Sequence, residues 1–408
     1  MIQEIKIKNF LSFRDEVVLN FEATKDKTFE ECQVVSVAPK VRLLRFALIY
    51  GANASGKSNL LSAFDFLRDF WFDIKTNIDE ETGAIPFLLD TETPDQPSEF
   101  NIIFYLDAKK YWYQLILDSR KVIKEELLVY NSVQPSLIFS RILEGTQSVV
   151  KLNSNLVKAS NAIIEQLNLK CLSNMSFFAA RNQVNCALAY IDDVRDWMRN
   201  DLMPTITPNT NMFEYAGDKM DKEKEMKNYI LDFIRKADFN ITDIFSQREK
   251  LPLLADTSFE RLKTDFQHTV KNKRGIETYT LPNKLQSAGT RRTLGIEVAI
   301  YEALQKERAL PVDEIESSLH PELVKFIIQK FLAEKNNRSQ LIVTSHYDPL
   351  LNTVDDLIRK DMVWFTDKEE DGHTKLYSLT DFRGLGRISS FQKSYRNGVF
   401  GALPNIHE

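Results

Sequence analysis

The sequence predicts an α/β fold: a doubly wound core built around a phosphate loop, flanked by an antiparallel β-sheet and interrupted by a helical insertion. Three observations carry that class. The hydrophobic run Phe46-Ala47-Leu48-Ile49-Tyr50 leads through Gly51-Ala52-Asn53-Ala54-Ser55-Gly56-Lys57-Ser58 into the helical pattern that starts at Asn59. Three strand-like runs separated by short polar spacers fill residues 100–130. From about residue 280 a strand–helix alternation returns and continues to Phe365.

Taken in order, residues 2–8 alternate apolar with polar, and Val17-Val18-Leu19-Asn20-Phe21 repeats the pattern after the polar turn Arg14-Asp15-Glu16. Period-two alternation around a turn predicts a hairpin ahead of the 46–50 strand. Apolar residues at Leu60, Leu61, Phe64, Leu67 and Phe70-Trp71 carry the next helix to about Phe72. The Pro-, Thr- and Asp-rich stretch 90–97 is a loop. Runs at 100–106, 111–117 and 126–130, joined by short spacers, predict an antiparallel meander. Helical spacing then marks 155–169, 191–202 and 218–237, with Asp221-Lys222-Glu223-Lys224-Glu225 as a solvated charge run. The expected organisation is an N-terminal lobe over 1–130, a mainly helical insertion over 131–280 and a C-terminal lobe over 281–408.

At 408 residues and 43% hydrophobic content the chain can bury one large core or two moderate ones. A formal net charge of −5 excludes a generally polycationic nucleic-acid binder, though not a local basic groove. Cys32, Cys171 and Cys186 fit no metal-ligand spacing and read as reduced thiols. No signal peptide opens the chain and no apolar stretch reaches membrane-spanning length, so the expectation is a cytoplasmic protein without a membrane partner.

The 51–58 loop between strand and helix meets the requirements of a Walker A motif. Its glycines let backbone N–H groups curl inward, and the following helix start adds a positive dipole end. Asn53, Ala54, Ser55, Gly56, Lys57, Ser58 and Asn59 are the expected nucleotide contacts. Lys57 would reach the β- and γ-phosphates, and the Ser58 hydroxyl would join Asp313 in holding Mg²⁺. Asp313-Glu314 closes a short apolar strand, as a Walker B site requires, with Glu314 as catalytic base and Glu316 as the alternative carboxylate. Pro311 removes a ladder donor, so the strand's effective start is placed there. The run Leu341–Ser345 predicts a buried parallel strand that ends in His346, an imidazole able to hydrogen-bond a γ-phosphate or the attacking water. Leu285-Gln286-Ser287-Ala288-Gly289-Thr290 precedes the amphipathic pattern 294–304. Ser287 and Gly289 there offer a hydroxyl and N–H groups to an anion at a helix start, where an ordinary N-cap is the plainer alternative.

Five elements in this order resemble the ABC-type ATPase heads of the SMC, RecF and OLD class: Ile5–Phe13, the Walker A loop, the signature helix, Walker B with its following turn, and the switch histidine. The family's Leu-Ser-x-Gly-Gln signature is matched by Leu285, Ser287, Gly289 and Thr290, with Thr in place of Gln, and His320 replaces the usual Asp of the D-loop. Residues 359–366, 376–382 and 395–404 resemble the C-terminal region of RloA/AbiLi-type ATPases. The resemblance implies ATP and Mg²⁺ as ligands and a homodimer or higher oligomer that sandwiches nucleotide between Lys57, Ser58, Asp313, Glu314 and His346 of one chain and Ser287 and Gly289 of another. It further implies a role in bacterial anti-phage defence, as sensor and regulator of a separate effector protein, a nuclease. For the family's Q-loop glutamine, Gln183 is a candidate and Arg181 another. The competing reading is a DNA-engaging ATPase of the recombination and repair kind, with nucleic acid gripped by Lys271, Lys273, Arg274 and Lys284, or by Arg291 and Arg292.

Overall fold

A computed structural model describes residues 1–237, 240–253 and 257–404. The chain divides into two compact units, one of 1–205, 307–314 and 332–408, the other of 206–306 and 315–331.

The first unit holds the expected α/β core and its flanking sheet. Strand Phe46–Tyr50 is buried at all five positions, as befits a parallel strand covered on both faces. It pairs in parallel with Gln340–Ser345 on one side and Val363–Lys368 on the other. Ala309–Val312 pairs in parallel with Gln340–Ser345 and forms one edge of this sheet, while Thr374–Ser378 closes the opposite edge antiparallel. Pro311 does not mark the strand's beginning, as its missing N–H had implied; the strand opens at Ala309. On an edge, the absent donor can face away from the ladder at no cost.

The flanking sheet has seven antiparallel strands in the order Gln147–Leu152, Ser136–Glu144, Val122–Tyr130, Lys109–Leu117, Ser98–Leu106, Ile2–Lys8, Val17–Asn20. The expected hairpin and meander are both present within it. Helix Lys57–Phe70 packs against it through Phe66, whose ring lies 5.0 Å from Phe100 and 5.3 Å from Phe10. Offset aromatic contacts at this spacing fix the helix relative to the sheet, and so fix the loop at its N-terminus.

The second unit contains helices Phe213–Lys222, Lys224–Lys236 and Ala288–Lys306, together with a three-stranded antiparallel sheet of Ile241–Leu253, Thr257–Asn272 and Gly275–Pro282. One helix had been expected over 218–237. Two form instead, because Glu223 adopts an extended conformation between them.

The expectation of a mainly helical 131–280 is overturned at both ends. Strands 136–144 and 147–152 extend the flanking sheet, and Ile241–Leu253, Thr257–Asn272 and Gly275–Pro282 are strands. The helices between begin later or end earlier than the spacing indicated, at Asn161–Lys170 and Ile191–Asn200. Among the described residues no helix is long and apolar enough to cross a membrane.

Candidate functional site

The carboxyl ends of adjacent parallel strands are where open α/β sheets place their ligands. Here strand order sets the ends of 309–312, 340–345 and 46–50 side by side, bringing Asp313, His346 and Gly51 to one rim of the sheet.

The glycine loop is held in shape by close packing. A Cβ on Gly51 would stand 2.5 Å from the Thr366 carbonyl oxygen, so no side chain fits. Gly56 sits at φ 99, caps the helix that begins at Lys57, and has Ser12 Oγ 2.8 Å from where its Cβ would lie. Ser55 is buried and shares a 2.6 Å hydrogen bond with Thr366 Oγ1, which also donates to the Tyr50 carbonyl at 3.2 Å. Thr374 Oγ1 lies 3.0 Å from the Ser55 carbonyl and 2.9 Å from Ser12 Oγ. Thr366 and Thr374 thus brace the loop from the two strands that follow it in the sheet, a role nothing in the local motif had pointed to. Beside Thr374, His373 and then Arg14 hydrogen-bond Asp371 and pull its carboxyl down to about 2.

Asn53, Ala54 and Ser58 are exposed on the rim and Asn59 is half-buried. Lys57 is buried, with Nζ donating to the carbonyls of Gly51 and Ala52 at 2.9 Å each. Those bonds hold the ammonium to its own loop.

Ser58 Oγ donates to Asp313 Oδ2 at 2.8 Å. Thr344 Oγ1 donates to Asp313 Oδ1 at 2.5 Å and accepts from the Glu314 N–H at 2.8 Å. One threonine on the strand beside the glycine-loop strand therefore holds both the Asp313 carboxylate and the Glu314 backbone N–H, and sequence reasoning passed over it as a core residue of the 341–345 run. Glu314 stands at φ 45, a left-handed conformation that only a fixed environment sustains in a non-glycine residue. His346 is exposed immediately past the strand end, and the Tyr50 hydroxyl donates to the next residue's carbonyl, Tyr347 O, at 3.3 Å.

The donor set suits a hard cation. A hydroxyl and a carboxylate in direct contact match the few-ligand manner in which Mg²⁺ is held beside phosphates. Among the described residues no group of three or more His, Cys, Asp or Glu could hold a metal by itself, and this mode of binding does not require one.

Ser287 and Gly289 lie in the second unit. Ser287 Oγ accepts from the Thr290 N–H at 3.0 Å, the bond of an N-cap, and its oxygen lies 2.8 Å from Thr290 Oγ1. The threonine that departs from the signature pattern is thereby used locally. A Cβ on Gly289 would stand 2.7 Å from the Ser318 carbonyl, so glycine lets the helix start pack against the 315–320 turn. Glu316 also belongs to this unit. Of the two Q-loop candidates, Arg181 is buried and bonded to the Val184 carbonyl at 2.8 Å and to Asp192 at 2.8 Å, an anchor for its own turn. Gln183 is half-buried just beyond.

The model of the family described as "AAA domain, putative AbiEii toxin, Type IV TA system" matches residues 46–352, an interval that includes the glycine loop, Asp313-Glu314 and His346. No curated protein matches the sequence. Among solved structures, the chain is similar to an SMC head domain from Thermotoga maritima, at 12% identity and a TM-score of 0.42, with 92% of this chain and 98% of that one covered. It is also similar to an Smc head domain with an extended coiled coil, bound to the C-terminal domain of ScpA, derived from Pyrococcus furiosus. Identity there is 13% and the TM-score 0.43, with 93% and 97% covered.

Proposed function

This chain belongs to that AAA-domain ATPase family, and from that premise we propose that it is an ATP-hydrolysing switch that closes as a dimer on nucleotide and governs a partner effector. The observation that carries the hydrolytic half is the Ser58–Asp313–Thr344–Glu314 chain of hydrogen bonds, which joins Walker A to Walker B across 255 residues of sequence.

Within it, Lys57 leaves its two loop carbonyls for the β- and γ-phosphates, while the N–H groups of Asn53 through Asn59 cradle the rest of the triphosphate. Ser58 and Asp313 hold Mg²⁺, which when bound neutralises charge on the transferring phosphoryl group. Glu314, its backbone pinned by Thr344, takes the proton of the attacking water. His346 hydrogen-bonds at the γ-phosphate end. Ser287 and Gly289 of a second copy complete the pocket, so that nucleotide bridges the subunits and hydrolysis releases them.

Output through a separate effector, a nuclease in anti-phage defence, is the reading supported by the RloA/AbiLi-like C-terminal runs and by the toxin–antitoxin wording of the family description. A DNA-engaging role draws on one observation: Lys271, Lys273 and Arg274 are all exposed at the turn between two strands of the second unit. Binding to DNA that weakens steeply with salt and is lost on charge reversal at those three positions would favour it.

The test is a pair of variants. Lys57→Ala abolishes nucleotide binding. Glu314→Gln keeps ATP affinity but lowers turnover by about 100-fold or more, the usual contribution of a positioned base. Turnover of Glu314→Gln at the wild-type rate in a steady-state phosphate-release assay would remove Glu314 from the role of base.

A further inference from the structure

The turn that leaves His346 is held by more than the sheet. Its continuation, Asp348–Thr353, is clasped by the short C-terminal helix Phe391–Arg396. Arg396 engages the Asp348 carboxylate through both Nε and Nη2, the latter at 3.1 Å. Gln392 Nε2 donates to Asp348 Oδ1 at 3.3 Å, and its Oε1 accepts from Asn352 Nδ2 at 2.6 Å. Ser390, the N-cap of the helix, donates to Asn352 Oδ1 at 3.3 Å. The same helix reaches the strand that enters the glycine loop. The Tyr395 ring lies 6.1 Å from Tyr50, the last residue of that strand, and 5.9 Å from Phe365. Its hydroxyl donates to the Ala402 carbonyl at 2.8 Å, which ties the helix to the chain beyond it.

We propose that Arg396 and Gln392 are positioning residues for ATP hydrolysis: by holding Asp348 and Asn352 they set the backbone that presents His346 at the rim beside the glycine loop. The proposal rests on the reading of His346 as the group at the γ-phosphate end. Neither Arg396 nor Gln392 touches nucleotide in this scheme. A two-pronged guanidinium–carboxylate contact fixes direction as well as distance, which an ammonium does not reproduce. Arg396 is largely exposed, with 62% of its side chain accessible against 19% for Asp348. An ion pair so open to water adds little to folding stability, so its removal reports on geometry.

The experiment measures steady-state ATP hydrolysis and equilibrium ATP binding by the full chain. In Arg396→Ala, kcat falls about tenfold, a fraction of the ~100-fold that a 1 Å misplacement can cost, while KM and the Kd for ATP stay within about twofold. Arg396→Lys recovers only part of the loss. Gln392→Ala gives a smaller fall in kcat alone, and serves if Arg396→Ala does not fold. The double variant His346→Ala/Arg396→Ala is no slower than His346→Ala, because the arginine acts through the histidine. Wild-type turnover in both Arg396→Ala and Gln392→Ala beside a slow His346→Ala would overturn the positioning role alone. So would an Arg396→Ala defect that persists undiminished in the His346→Ala background. A His346→Ala protein with the wild-type rate would instead remove the histidine reading on which the proposal stands.

Discussion

At the scale of single residues, the site depends on groups whose importance their type does not announce. Lys57, Ser58 and Asp313 sit in patterns that declare them. Thr344 does not; in sequence it is one more member of the buried run Leu341–Ser345. Its hydroxyl nevertheless donates to Asp313 and accepts from the Glu314 N–H. Valine has nearly the same shape and cannot do either. Thr344→Val leaves a buried carboxylate oxygen and a backbone N–H without that partner, and an unmet group of this kind costs about 1–3 kcal/mol. The expected result is a melting temperature lowered by a few degrees and turnover reduced more than ATP affinity, since Lys57 and the loop remain. Thr344→Ser keeps the hydroxyl and most of the turnover. Equal rates in the valine and serine variants would show that the hydroxyl is not what organises the Asp313 carboxylate and the Glu314 backbone. Thr366 and Thr374 were illegible for the same reason: their partners lie in the glycine loop, more than 300 residues earlier in the chain.

Between elements of the second unit, a contact between buried Glu297 and half-buried Lys330 joins the helix that begins after Ser287 to the helix that follows Walker B. Glu297 Oε2 lies 3.4 Å from Lys330 Nζ, and that ammonium also stands 3.4 Å over the Tyr229 ring and 4.6 Å from Phe233. Burial pushes the Glu297 carboxyl up to about 7, and attraction to Lys330 only partly offsets it. Burial likewise lowers Lys330. Because the folded-state value of Glu297 is raised, its contribution to stability is fully present below the ordinary carboxylate range and is lost as pH climbs through about 7. Glu297→Gln has no such loss. The melting temperature of the variant relative to the wild type should therefore rise between pH 5 and pH 8, whatever the offset at pH 5. A difference that stays flat over that window would mean that Glu297 ionises freely in the fold. Elements were unequally readable. The 2–8 hairpin, the glycine-loop strand and the meander declare themselves through clean alternation or a short fully apolar run. The strand Ile241–Leu253 does not, because a register shift between Ile241 and Asp243 puts two buried residues, Ile241 and Ile244, three apart. A bulge thus imitates helical spacing. Strand Ser136–Glu144 buries four consecutive residues and shows no period-two signal either.

For the molecule as a whole, the question is whether one copy suffices. The glycine loop, Asp313, Glu314 and His346 belong to one compact unit and Ser287 and Gly289 to the other, and the proposed pocket draws the latter pair from a second chain. Association and nucleotide occupancy would then be one equilibrium, tightened when turnover is blocked. Glu314→Gln with ATP and Mg²⁺ should double in mass by light scattering, whereas Lys57→Ala should not. A substitution at Ser287 can separate this from simple folding. Ser287 caps its helix through the Thr290 N–H, and aspartate caps helices about as well as serine. Ser287→Asp therefore preserves the helix start, and its charge even suits the positive dipole end. Yet that carboxylate would face the triphosphate of the neighbouring chain and repel it. The double variant Glu314→Gln/Ser287→Asp should melt as Glu314→Gln does and bind ATP to its own glycine loop, but remain at the mass of a single chain. If it still doubles in mass with ATP, the signature helix does not close on a partner's nucleotide, and the bridging role passes to some other surface of the chain.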